Sequence, residues 1–169
     1  MKKTSVGLVV LTNLPSMGGW VAILQRRGEF NNEKMGPESW PGACQITVHG
    51  ECKDGEILQT ALVREIKEEI GTSLGFNVGT TVELTYTEDS DKIVASFGMR
   101  VIPKWLELFR LHAGTGGLKF VTREQVDNIV SIKDFDKTIG VKDRDVIAMF
   151  PDEIITLQRA FRKLVPPQE

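Results

Sequence analysis

Glu65, Glu68 and Glu69 lie in one stretch, GECKDGEILQTALVREIKEEIG, that runs from Gly50 to Gly71. If the stretch is helical and Glu65 is set at zero, Glu69 falls near 40°, Glu68 near 300° and Arg64 near 260°. Leu62, Val63, Ile66 and Ile70 fill about 60° to 160°, and Ala61, near 320°, leaves room under the acids. One stripe is therefore apolar and suited to a sheet, and the neighbouring stripe is acidic. The acidic stripe is costly. Like charges at i,i+4 oppose a helix by a few tenths of a kcal/mol. Glu68 and Glu69 also precede Gly71, a C-terminal stop, where acids oppose the helix dipole. Three acids on a helix are ordinarily a solvated face. A bound divalent cation would offset both penalties, because several oxygens on one face are what a hard cation takes.

The residues around the acids have a fixed spacing. Gly50, Glu56, Arg64-Glu65-Ile66, Glu68-Glu69 and Gly71 follow G-x5-E-x7-R-E-U-x-E-E-x-G-U, where U is a bulky aliphatic residue. The stretch resembles the Nudix box. Every fixed letter matches and the one departure is Thr72 at the final U. A chance match at a given start is on the order of 10⁻⁸, so the signal is specific. The resemblance implies an α/β fold, a Nudix-type α/β/α sandwich with a mixed central sheet, as a single domain over residues 1–169. It implies a pyrophosphohydrolase that splits a nucleoside diphosphate linked to another moiety. Glu65, Glu68 and Glu69 would ligate Mg²⁺ or Mn²⁺, with the Gly50 carbonyl joining them. Arg64 would act at the catalytic site and pair with Glu56 to fix the loop against the helix. Gly50, Gly55 and Gly71 would allow tight backbone geometry.

Diphosphate is anionic and repels a nucleophile; metal ions screen its oxygens and acidify water. Glu68 or Glu69 is then expected both to hold metal and to help accept the water's proton. In some family members the base lies on a later loop, and Glu107 and Glu124 are the candidates here, each otherwise an ordinary surface acid.

Substrate contacts are less sharply marked. His49 beside Gly50 is a candidate for a phosphate or metal contact, or a strand-end histidine bonded to backbone. Arg26 and Arg27 are candidates for phosphate, or a solvated pair. Trp20, Phe30, Trp40, Tyr86 and Trp105 are candidate base-stacking residues. Trp40 ranks first because it sits in the loop leading to the box. Gly114-Thr115-Gly116-Gly117 lacks the P-loop's Gly-Lys-Ser/Thr and reads as a flexible loop. The segment WPGACQITVHG is longer than the usual approach to the box and is similar to branches that include isopentenyl-diphosphate isomerase. That enzyme has a degenerate box, and its close Cys and His are not matched by Cys44 and His49. A second alternative is a non-catalytic module that senses a nucleotide; such modules usually lose box glutamates.

The elements that must hold these residues are legible in outline. Ser5–Leu11 and Trp20–Arg26 read as strands joined by LPSMGG into a hairpin. Ala43–His49 reads as one strand and Asp54–Ile70 as the strongest helix. Val82–Thr87 and Lys92–Ile102 read as strands around the turn EDSD, and Leu118–Val121 as a short strand. Thr122 caps a helix with apolar positions Val126, Ile129 and Val130. After Pro151, Ile154, Leu157, Phe161 and Leu164 follow a helical period.

Composition bounds the rest. The 169 residues are 41% hydrophobic and 26% charged with a net charge of −2, which gives no electrostatic footprint for nucleic acid or membrane. No apolar run approaches the roughly 18 residues of a transmembrane helix, and MKKTSVGLVVLTN reads as a first strand rather than a signal peptide. Cys44 and Cys52 match no zinc or redox spacing and are expected as reduced thiols in a cytoplasmic protein. The expected partner is a small nucleoside diphosphate derivative, and the resemblance leaves a homodimer open.

Overall fold

The run VGLVVL lies in a strand buried on both faces, so its alternate residues feed two separate cores. Val6, Leu8 and Val10 join one cluster, and Val9 and Leu11 join the other. This split sets the whole architecture. The structure, a computed structural model, describes residues 2–32, 34–71 and 80–167. Thr72, the last position of the box, lies outside the described residues.

Along the chain, β1 (Lys3–Leu14) and β2 (Gly19–Arg27) form the first hairpin. Short pieces follow: β3 (Phe30–Asn31), β4 (Gly36–Pro37), β5 (Cys44–Gln45) and β6 (Val48–Glu51). Helix α1 (Leu58–Ile70) precedes β7 (Val82–Glu88) and β8 (Lys92–Val101). Then come β9 (Thr115–Thr122), α2 (Arg123–Val126), β10 (Val130–Ser131), β11 (Ala148–Met149) and α3 (Pro151–Leu164). Among the described residues the main sheet has seven strands, in the order β5-β2-β1-β8-β7, with β6 also on β1 and β9 on β2. Its pairs are antiparallel except β1 with β8, which run parallel from Lys3 opposite Lys92 to Thr12 opposite Val101.

Helix α1 covers one face through Ala61, Leu62, Ile66 and Ile70, which pack on Val6, Leu8, Val10 and Ile23. Helix α3 covers the other through Leu157, Ala160, Phe161 and Leu164, which pack on Val9, Leu11, Ala22 and Leu24. The result is an α/β/α sandwich around a mixed sheet, as expected. Burying each large side chain of these stripes stabilises by about 1.5–3 kcal/mol. No helix among the described residues is long and apolar enough to cross a membrane.

The most consequential departure from the sequence reading is at Ala43–His49. It is not one strand. β1 and β2 pair only from Val10 opposite Ile23 to Leu14 opposite Gly19, then splay apart. The segment enters the fork: β5 pairs with β2 and β6 with β1. Thr47, fully buried, stands at the branch point. Its hydroxyl accepts the Val10 N–H at 2.8 Å and donates to the Ile23 carbonyl at 2.5 Å, replacing the missing ladder bonds.

Other boundaries also move. The central helix starts at Leu58 rather than Asp54, because Asp54-Gly55 forms a turn and Gly55 takes φ 76°. Val63, assigned to the apolar stripe, is exposed at its margin. The helix after Thr122 stops at Val126, which leaves Ile129 outside it and Val130 in β10. The Gly114–Gly117 stretch is strand from Thr115 onward and pairs with Arg26 and Arg27 across a bulge, rather than forming a loop.

Candidate active site

Four of the box residues are tied together by Arg64. Its Nε and Nη2 donate to the two oxygens of Glu56 at 3.0 and 2.9 Å, a two-pronged pairing. Nη2 also donates to the Glu51 carbonyl at 2.8 Å. Nη1 lies between two acids, 2.6 Å from Glu65 Oε1 and 3.0 Å from Glu68 Oε2. All five guanidinium N–H groups are thus used. The arginine pins the turn before α1, the end of β6 and the helix itself. Bonding to Arg64, helped by the Lys53 N–H, lowers the Glu56 pKa to about 2.

Glu65, on the acidic stripe of the helical projection, is buried, with 5% of its surface exposed. It faces Gly50 on β6: a Cβ at residue 50 would fall on the Glu65 carboxylate. Glu69 meets the same strand one residue earlier. Its Oε2 accepts the His49 N–H at 3.3 Å and the Gln25 side-chain amide at 3.0 Å. Glu68 has a half-exposed side chain. The helix therefore lays two carboxylates on the His49-Gly50 backbone and leaves the third at the rim. Gly71 closes α1 in the left-handed region at φ 65°, and the Arg110 N–H caps the Ile70 carbonyl at 2.7 Å.

The remaining candidates are scattered. The His49 side chain points towards α3, with Nδ1 3.5 Å from Oε1 of the buried Glu153. Burial acts most strongly and lowers the His49 pKa, but the hydrogen bond to Glu153 together with the charges of Glu153 and Glu69 makes the net shift upward. Arg26 and Arg27 are the last two residues of β2, which runs one residue past the expected end at Arg26. Arg26 is 8% exposed, and its two terminal nitrogens donate to the Gly42 and Arg144 carbonyls at 2.6 and 2.7 Å. Arg27 contacts Glu38 at 3.5 Å and the Ser39 carbonyl at 3.1 Å, and stacks over Phe150. Trp40 packs edge-on against Phe150, donates from Nε1 to the Phe135 carbonyl and carries Lys137 over its ring. It belongs to a small core with Ile132, Val141 and Ala148. Glu124 opens α2, whose Val126 packs in the cluster facing α3, so it lies across the sheet from the box. Glu107 lies in the turn Pro103–Leu108, whose Trp105 and Leu106 pack on the α1 side.

Sequence reasoning missed Gln25, Thr47 and Glu153. Glu153 accepts the Ile46 N–H at 3.3 Å as well as facing His49. A polar residue directly after the apolar run Val21-Ala22-Ile23-Leu24 was the available signal for Gln25.

Among the described residues, no three His, Cys, Asp or Glu side chains form a ready-made cation site. The donor set nevertheless fits a divalent ion. Glu65 and Glu68 converge on one cationic nitrogen, Gly50 leaves space for the Glu65 carboxylate, and hard oxygens are what Mg²⁺ and Mn²⁺ take.

A family model described as the NUDIX domain matches residues 1–150. The chain belongs to the Nudix family. Members of this family generally use divalent metals. Solved structures agree on the Nudix fold. A MutT/nudix family protein from Enterococcus faecalis aligns over 98% of this chain and 62% of its own, at TM-score 0.63 and 14% identity. This chain therefore spans less than two thirds of that protein. The NUDIX domain of Shewanella oneidensis NrtR, solved with ADP ribose, aligns over 98% of this chain and 90% of its own, at TM-score 0.60 and 11% identity. A mutT/nudix family protein from Listeria innocua aligns over 74% and 82%, at TM-score 0.54 and 17% identity. No curated protein sequence matches the chain.

Proposed function

We propose that this Nudix hydrolase splits the diphosphate bond of a nucleoside diphosphate linked to another moiety. The substrate class spans nucleoside triphosphates, nucleotide sugars, ADP-ribose and dinucleoside polyphosphates. The observation that carries this reading is the meeting of Glu65 and Glu69 with the Gly50 and His49 backbone, while Arg64 ties Glu68 to Glu65. The ADP ribose bound to the NrtR domain supports a ligand of the same chemistry.

Glu65, Glu68, Glu69 and the Gly50 carbonyl would hold Mg²⁺ or Mn²⁺. When bound, the ion supplies charge screening of the diphosphate and Lewis acidity. The chain's own residues do the rest. Glu65 and Glu69 are set by β6, so their orientation is fixed before substrate arrives. Glu68, at the rim, accepts the proton of the attacking water. The water oxygen bonds to one phosphorus, the bridging oxygen leaves with its electron pair, and two phosphate products result. Arg64 offsets part of the negative charge of Glu65 and Glu68 and keeps the helix and its approach loop in register.

Arg26 and Trp40 are left out of the substrate site because their polar groups are already tied to backbone carbonyls. The isomerase alternative finds no support here. Cys44 is 1% exposed and packs in the cluster facing α3, away from the box. The two cysteines are free, which suits a cytoplasmic setting.

The test is to incubate the protein with Mg²⁺ and the four substrate classes and to identify products by mass. Release of a nucleoside monophosphate with pyrophosphate or a sugar phosphate supports the proposal. Binding without turnover marks a ligand-sensing module instead.

A further inference from the structure

Gln25 is a polar residue of β2 on the same face as Ile23, which packs towards α1. It is 1% exposed. Its Nε2 donates at 2.7 Å to the Thr47 carbonyl and at 3.0 Å to Glu69 Oε2. The carbonyl and the carboxylate are both acceptors, so the amide must present its nitrogen to them, and both amide hydrogens are used. Burying an amide is unfavourable unless its polar atoms are hydrogen-bonded. Here the bonding partner is an acid of the box. The other end of the contact is rigid, because the Thr47 hydroxyl is fixed between Val10 and Ile23 at the strand fork. A continuous line of short bonds therefore joins the branch point of the sheet to Glu69.

We propose that Gln25 is a positioning residue for Glu69: it holds one carboxylate oxygen against the fork and so sets how Glu69 is presented to a divalent cation. The inference rests on the hydrolase reading above and assigns Gln25 no contact with substrate or ion. Outer partners of ligating side chains are typically worth 10–100-fold in metal affinity.

The test uses Mn²⁺ alone, titrated into the full chain and followed by electron paramagnetic resonance. Gln25→Met keeps the side-chain length and removes both donors. Leu157→Ala removes a fully buried side chain of α3 on the opposite face and serves as the stability control. We expect about a 10-fold loss of Mn²⁺ affinity in Gln25→Met and wild-type affinity in Leu157→Ala despite its lower stability. Wild-type affinity in folded Gln25→Met overturns the inference, as does an equal loss in Leu157→Ala. If Gln25→Met does not fold, the wild-type protein supplies the answer by nuclear magnetic resonance. The Gln25 side-chain NH₂ signals should shift over the same Mg²⁺ range as the Glu69 amide, and stationary Gln25 signals overturn the assignment. A wild-type protein that binds no Mn²⁺ brings down the hydrolase reading and this inference together. That result is distinct from a wild type that binds and a variant that binds equally.

Discussion

Gly50 and Glu65 compete for one space: the carboxylate of Glu65 occupies the position that a side chain at residue 50 would need. The glycine is thus explained by the acid it admits. We expect Gly50→Ala to displace Glu65 and lower turnover about 10²-fold, since small misplacements at a reacting centre cost that much. Circular dichroism should show an unchanged fold. Near-normal turnover in this variant would mean that the Glu65–Gly50 contact has no part in catalysis.

The Glu56–Arg64 pair gives a pH signature. Glu56 titrates at about 2 in the folded protein against an ordinary value of 4.5, through its bonds to Arg64 and to Lys53 N–H. A depressed folded-state pKa contributes stability that is present above the unfolded value and lost as pH falls through the folded value. The stability gap between wild type and Glu56→Gln, read by urea denaturation, should be full above about pH 4.5 and close as the pH approaches about 2. A gap that does not vary with pH would show that the pair does not hold Glu56 ionised.

Thr47→Val should unpair the fork. It removes the acceptor of the Val10 N–H and the donor to the Ile23 carbonyl, both at a fully buried site. At roughly 1–3 kcal/mol for each unsatisfied group, we expect a loss of about 3 kcal/mol in denaturant unfolding. A loss below about 1 kcal/mol would indicate that the strands re-pair without the hydroxyl.

Glu124→Gln should leave turnover within about twofold, because α2 packs on the α3 side of the sheet and surface changes away from a site are usually near neutral. A large loss would bring Glu124 back as an external base.

The box and the sandwich were legible in the sequence because both rest on local spacing. The helical period of Leu62, Ile66 and Ile70 and the two-sided apolar run of β1 need no knowledge of distant residues. The fork was not legible. Ala43–His49 has the composition of one strand, and only the pairing of β5 and β6 with different partners divides it. Arg26 and Trp40 were read as substrate candidates because each is a phosphate- or base-binding residue type near the box. Their actual partners, the carbonyls of Arg144 and Phe135, lie 118 and 95 residues away. The burial of Glu65 against β6 was not legible either, because a helical projection carries no information about the strand that folds over it.

Glu68→Gln reads out the proposed chemistry most directly. Mg²⁺-dependent release of nucleoside monophosphate should be measured for wild type and variant across the same substrate classes. Glu68 is half-exposed at the rim, so the substitution spares the core. We expect wild type to turn over at least one class and the folded variant to lose about 10²-fold or more, the scale of general-base removal. Equal rates in the two proteins, or a wild type inert towards every class, would contradict the assignment of this helix face as a diphosphate-cleaving centre.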